Sequence, residues 1–251
     1  MKIYQIIFCF IFSIILCQVN TENMRSDELN LGFINQLEFD YNFEGTDDVV
    51  TEYAVGYRLD YIKNQRVKYF GVINFEQGYE KEKDQDIDIF SNKGFIHLRN
   101  TSEFVKNYSY ELFTQYEFND FLLLDERFLI GTGLRLTKNG KMTKNYYSMG
   151  IMYESESYST DDESVSLVRS TNYINNTIFL NDNITFKNVI YFQFSIDNVD
   201  DFRILYDASI DFEVNDFVSI SMKLNHRYDN DPINGLSQYY TQISNGVSIH
   251  F

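Results

Sequence analysis

The stretch Tyr239-Tyr-Thr-Gln-Ile-Ser-Asn-Gly-Val-Ser-Ile-His-Phe251 decides how the rest of the chain is read. Tyr239, Thr241, Ile243, Asn245, Val247, Ile249 and Phe251 fall on one side of a two-residue repeat. Tyr240, Gln242, Ser244, Gly246, Ser248 and His250 fall on the other. A period of two is that of a β-strand with an apolar and a polar face. Aromatic or aliphatic residues hold the last three apolar positions, Val247, Ile249 and Phe251.

The same rhythm recurs upstream. Leu31, Phe33, Leu37, Phe39, Tyr41 and Phe43 alternate with Gln36, Glu38, Asp40, Asn42 and Glu44. Tyr110, Leu112, Thr114, Tyr116 and Phe118 alternate with Glu111, Phe113, Gln115 and Glu117. Phe202 to Val214 places seven apolar residues against Arg203, Asp207, Ser209, Asp211 and Glu213. The pattern predicts strands near 51–62, 66–79, 93–105, 108–119, 126–137, 145–155, 164–175, 184–196, 202–214, 217–228 and 238–251, after the first one. Alternation breaks at Asn100 to Glu103, and Val189 to Phe194 is apolar on both faces, which leaves that register open.

About twelve strands of roughly ten residues match the length a tilted strand needs to cross a bilayer. One proline, against 20 Tyr and 23 Phe, suits long paired strands bordered by aromatic girdles. The expected fold is all-β, an antiparallel transmembrane β-barrel of about 12 strands over residues 27–251. Its closing strand, with Val247, Ile249 and Phe251, reads as the signal met by the barrel-assembly machinery. Tight turns at Asn64-Gln65 and Asn215-Asp216 follow even-numbered strands, and long connections around 80–92, 154–163 and 229–237 follow odd-numbered ones. That is the asymmetry of periplasmic turns and extracellular loops. The connections after the sixth and eighth strands read as longer than this pattern wants. A soluble periplasmic sandwich or a lipocalin-like barrel also alternates, so periodicity alone does not say which face is inside.

The N-terminus reads as a secretory signal over residues 1–17. Lys2 precedes the apolar run Ile3 to Leu16, and polar residues follow from Gln18. Residues 18–26 then form a leader of the mature chain. Cleavage after Cys17 is favoured over lipidation of Cys17, because Leu16 is large for a residue before a lipidated cysteine. Cys9 and Cys17, the only cysteines, both lie in this region, so the mature chain has no disulfide and no thiolate metal site. Residues 1–17 hold one of the 21 basic residues, Lys2, and none of the 37 acidic ones, so the remainder carries 20 against 37, a net charge of −17. That excludes nucleic acid as a partner. The acidic runs Glu80 to Asp88, Asp161 to Glu163, Asp197 to Asp201 and Asp229 to Asp231 are solvated loops or collect divalent cations beside lipopolysaccharide. Outer-membrane lipid and lipopolysaccharide are the expected surroundings, and a small charged solute is a candidate lumen partner.

Two segments carry a family likeness. Asn92-Lys-Gly-Phe-Ile-His-Leu-Arg99 is one, and Glu111-Leu-Phe-Thr-Gln-Tyr-Glu-Phe-Asn-Asp120 continuing to Arg127-Phe-Leu-Ile-Gly-Thr-Gly-Leu-Arg135 is the other. They resemble the salt-induced outer membrane protein family, domain of unknown function 481. The resemblance implies an outer-membrane barrel and no established reaction, so it assigns no functional residue. By parity Arg99, Glu111, Gln115, Glu117 and Arg135 form a luminal network, with Gly131 and Gly133 making room. Such a network either satisfies buried polarity or forms a selectivity constriction for a charged solute.

No catalytic, cofactor or metal site emerges. His97, His226 and His250 are not spaced as ligand pairs on a strand, and His97 and His226 lack a serine two residues on, as an outer-membrane lipid-modifying enzyme would need. Gly131-x-Gly133 opens no helix and is no phosphate loop. Asp84, Asp86 and Asp88 lack the glycine and closing glutamate of a calcium loop. The expected role is a small pore or structural outer-membrane protein. A lipid-modifying enzyme, or a barrel binding cations through its acidic loops, are the alternatives.

Overall fold

A computed structural model describes residues 21–22, 24–25, 31–45, 49–81, 87–159, 164–232 and 236–250. The expected signal region 1–17, Phe251, and the acidic residues Asp84, Asp86, Asp161, Asp162 and Glu163 lie outside the described residues.

Twelve strands account for nearly all of the description. They are β1 (Gly32–Gly45), β2 (Val49–Asn64), β3 (Val67–Lys81), β4 (Asp88–Val105), β5 (Tyr108–Asn119) and β6 (Leu124–Asn139). The second half comprises β7 (Thr143–Tyr158), β8 (Ser164–Asn181), β9 (Ile184–Ser195), β10 (Phe202–Asn215), β11 (Val218–Asp229) and β12 (Tyr239–His250). Each pairs antiparallel with its neighbours in sequence, and β12 pairs with β1 to close the barrel. An even strand count puts both ends of the barrel chain on one rim.

Five tight turns, at 65–66, 106–107, 140–142, 182–183 and 216–217, share that rim. The connections after β3, β5, β7, β9 and β11 are longer and share the other rim with the three-residue one after β1. The turns after β6 and β8 are therefore short, which corrects the expectation that they are long. The reason is that β7 starts two residues earlier than its alternation suggests and β8 runs on through Asn175-Asn-Thr-Ile-Phe-Leu-Asn181. Polar asparagines read as loop, but the ladder continues through them.

The turns have a chemical cause. Asn64 Oδ1 accepts from Arg66 N at 2.8 Å and Val67 N at 2.9 Å, and Asn215 Oδ1 accepts from Phe217 N and Val218 N in the same way. A short amide side chain that bonds the backbone two and three residues on reverses the chain without help from the rest of the fold. Asn107 supplies the left-handed residue (φ 70°) of the β4–β5 turn.

Which face is inside is unambiguous. Met149 is 74% exposed and Leu134 59%, whereas Arg127 and Glu154 are each 1% exposed. Apolar side chains point outward and ionised ones inward, the reverse of a soluble barrel. The sandwich and lipocalin-like alternatives are excluded by this facing. The open register of β9 resolves with Val189, Tyr191 and Gln193 inward and Ile190 and Phe192 outward. The broken alternation of β4 also has a reason. Asn100 and Ser102 face outward near the turn rim and bond each other, Ser102 Oγ donating to Asn100 Oδ1 at 2.9 Å.

Among the described residues the closure is shorter than the other seams. β1 and β12 are in register over four residue pairs, Gln36↔His250 to Phe39↔Val247, whereas β1 and β2 are in register from Gly32↔Ile62 to Gly45↔Val49. A luminal ion pair crosses over β12, with Lys223 on β11 bound to Glu38 on β1. Gly246 permits it, because a Cβ there would meet Glu38 Oε1 at 2.9 Å and Asp40 Oδ1 at 2.7 Å.

Candidate functional site

The lumen holds three zones along the barrel axis. The first lies toward the loop rim and is a dense network of ion pairs. Arg127 on β6 pairs with Glu156 on β7 and with Glu117 on β5. Arg203 on β10 donates to Glu154 at 2.6 Å, to Glu156 at 3.0 Å and to Asp229 on β11 at 2.8 Å. Arg169 on β8 pairs with Glu154 at 3.2 Å and with Asp201 at 2.8 Å. Arg227 pairs with Asp229 at 3.0 Å. Charges taken out of water need this mutual pairing, and removing one partner leaves the other uncompensated.

The middle zone joins the barrel wall to residues that precede it. Glu111 on β5 receives Arg135 Nη1 of β6 at 3.0 Å and Tyr173 OH of β8 at 2.8 Å, with Arg99 Nη1 of β4 at 3.7 Å. Glu22 enters this cluster and binds Arg99 and Arg135, the latter at 3.0 Å. Arg25 donates to Glu111 and to Thr101, each at 2.9 Å. Met24 packs on Phe70, Val72 and Phe95, and its carbonyl accepts from Arg58 Nη1 at 3.0 Å. His97 Nδ1 lies 3.0 Å from Gln115 Oε1, and Arg99 Nε donates to His97 Nε2 at 3.3 Å.

Toward the turn rim the lumen widens into a cavity of about 430 Å³. Lys144, Lys187, Lys223 and Arg58 line it together with Glu38, Asp207, Asp211 and Glu213, and Arg25 forms part of its boundary. Lys187 and Asp211 pair at 3.0 Å.

The five residues expected in a luminal network divide between two zones. Arg99, Glu111 and Arg135 meet in the middle. Glu117 belongs to the loop-side network, and Gln115 links the two by donating to Glu117 at 3.0 Å. Gly131 accommodates the inward Phe113, whose ring would lie 2.3 Å from a Cβ there. Val247 and Ile249 lie on the outer face of the closing strand, where Ile249 is in register with Leu37. His226 also faces outward and bonds Thr241. Periodicity did not single out Arg127, Glu154, Glu156 and Arg169. Glu154 and Glu156 share one face two residues apart, but the alternation of β7 fades before Tyr158. Thr21, Glu22 and Arg25 carry no periodic signal at all.

A closed meander with an apolar exterior and an ionised interior is the architecture of membrane-spanning β-barrels. Among solved structures the fold is similar to an outer membrane channel from Pseudomonas putida F1, with a TM-score of 0.53 and 9% identity over 93% of this chain and 98% of that one. The NanC porin gives a TM-score of 0.48 at 9% identity, covering 86% of this chain and 97% of that one. The KdgM porin in complex with disordered oligogalacturonate gives 0.47 at 9% identity, covering 87% and 99%. At such identities the likeness is one of fold alone. No curated protein matches the chain. Residues 74–251 match the family described as "Protein of unknown function, DUF481", and the chain belongs to that family.

Proposed function

We propose that this protein is a narrow outer-membrane channel for small charged solutes, with its lumen constricted at the centre. The signal reading of residues 1–17 supports export, and the outward apolar face supports insertion in the outer membrane beside its lipids and lipopolysaccharide. The observation that carries the channel reading is the cavity of about 430 Å³ bounded by Met24 and Arg25, with Arg25 paired in turn to Glu111 of the central cluster. A barrel serving only as a structural part of the membrane needs no such room. Opposed charges at the inner end of a wide polar vestibule make a selectivity constriction.

Planar-bilayer recording of the refolded protein tests this reading. Discrete conducting steps are expected, with amplitude and ion preference altered by Arg135→Ala and Glu111→Ala. Lipid turnover without conductance would replace the channel by an enzyme acting on membrane lipid. Neither activity would leave a structural barrel.

A further inference from the structure

The middle zone has a chemistry of its own. Glu22 is held by side chains from three strands and by Arg25 of its own turn, which donates to Oε1 at 2.9 Å. Arg99 on β4 binds Oε1, Arg135 on β6 donates to Oε2 at 3.0 Å, and Asn175 Nδ2 on β8 lies 3.5 Å from Oε2. Other contacts with the wall hold the two guanidiniums in place. The Arg135 guanidinium lies 3.9 Å above the Tyr146 ring and also donates to Tyr173 and Glu111. The Arg99 guanidinium lies 5.3 Å from the Phe113 ring and is tied to His97.

The charge balance leaves a place for an anion. Arg99 and Arg135 share one wall carboxylate in this cluster, that of Glu111. Buried guanidiniums require compensation. Glu22 supplies a second carboxylate from outside the barrel ladder, on a turn closed by Met24 N to Thr21 O and Arg25 N to Glu22 O, and the same turn brings a third guanidinium, Arg25, that pairs with Glu22 and with Glu111 at 2.9 Å each, so the cluster keeps an excess of positive charge.

A second observation points to a ligand. Beside the clamp is a cavity of about 40 Å³ bordered by Thr21, His97, Tyr191 and Gln193. Gln193 is 3% exposed, and its Oε1 has no hydrogen-bond partner among the described residues. A buried acceptor without a donor costs free energy that a hydroxyl would recover.

We propose that Arg99, Arg135 and Asn175 form a binding site for the carboxylate of a small hydroxy acid, occupied in this structure by the chain's own Glu22. The inference rests on the reading of the lumen as a solute path. Glu22 then acts as a tethered competitor, and its departure exposes the site.

Glycerate is a suitable probe, with glycerol as the neutral control. The full chain carrying Glu22→Ala, refolded and checked for a closed barrel by heat-modifiable migration, is expected to bind glycerate at least about tenfold more tightly than the unaltered chain in calorimetric titration. Adding Arg135→Gln abolishes that gain, and glycerol binds neither protein. Glu22→Gln keeps the side-chain volume and is expected to show the same gain at smaller size. A folded Glu22→Ala barrel without tighter glycerate binding overturns the inference, as does equal binding of glycerol. Binding and conduction fail separately. Conductance without glycerate binding removes the clamp and keeps the channel, whereas glycerate binding without conductance keeps the clamp and removes the channel.

Discussion

Phe113 points into the lumen among charged neighbours, and the wall opposite it is bare at Gly131. A methyl group there would meet the Phe113 ring at 2.3 Å and Met152 Cβ and the Ile151 carbonyl at 2.8 Å. Gly131→Ala is expected to destabilise the folded barrel by about 1–3 kcal/mol in denaturant unfolding in micelles. Phe113→Leu in the same chain recovers part of the loss, because the backbone conflict remains. Arg203 illustrates a different dependence. Its truncation to alanine takes one guanidinium from each of Glu154, Glu156 and Asp229 and leaves them to Arg169, Arg127 and Arg227 alone, with an expected loss of about 3–5 kcal/mol by the same measurement. The sequence shows the facing of such residues, since a period of two assigns every side chain to a face. It does not show depth or partner. Glu111 and Glu117 look alike on one strand, yet one meets Arg135 and the other Arg127. Glu22 is invisible to this reasoning, because a short segment outside any strand has no period to read.

At the scale of the strand, the twelve ladders follow from alternation to within a few residues, apart from the start of β4 and the ends of β7 and β8. Those extensions are rich in asparagine, serine and glutamate. Backbone pairing does not need apolar side chains once a strand passes beyond the lipid, so hydropathy ends before the ladder does. The facing of each strand has a direct test. Ile130 on β6 is 52% exposed on the outer face. Ile130→Arg is expected to cost about 2–4 kcal/mol in lipid-supported unfolding if it sits near the bilayer midplane. Ser209→Lys on β10, beside the cavity, is expected to cost far less. Equal costs at the two positions would contradict the inside-out arrangement.

At the scale of the molecule, eleven seams are long and one is short among the described residues. Leu37 and Ile249 stand opposite each other in that short register on the outer face. Replacing both with cysteine places two Cβ atoms near disulfide range. The oxidised pair is expected to raise the temperature at which the fast-migrating band converts to the slow one on a gel, by an amount lost on reduction. The same pair of substitutions at a long seam, such as Leu134 and Met149 between β6 and β7, is expected to add little. A hoop gives way at its smallest weld. For this cylinder the order of events is then set by geometry. The first and last strands are the final edges to zip during insertion and the first to part on heating, and the Lys223–Glu38 bridge that reaches over β12 is the rivet that delays the parting.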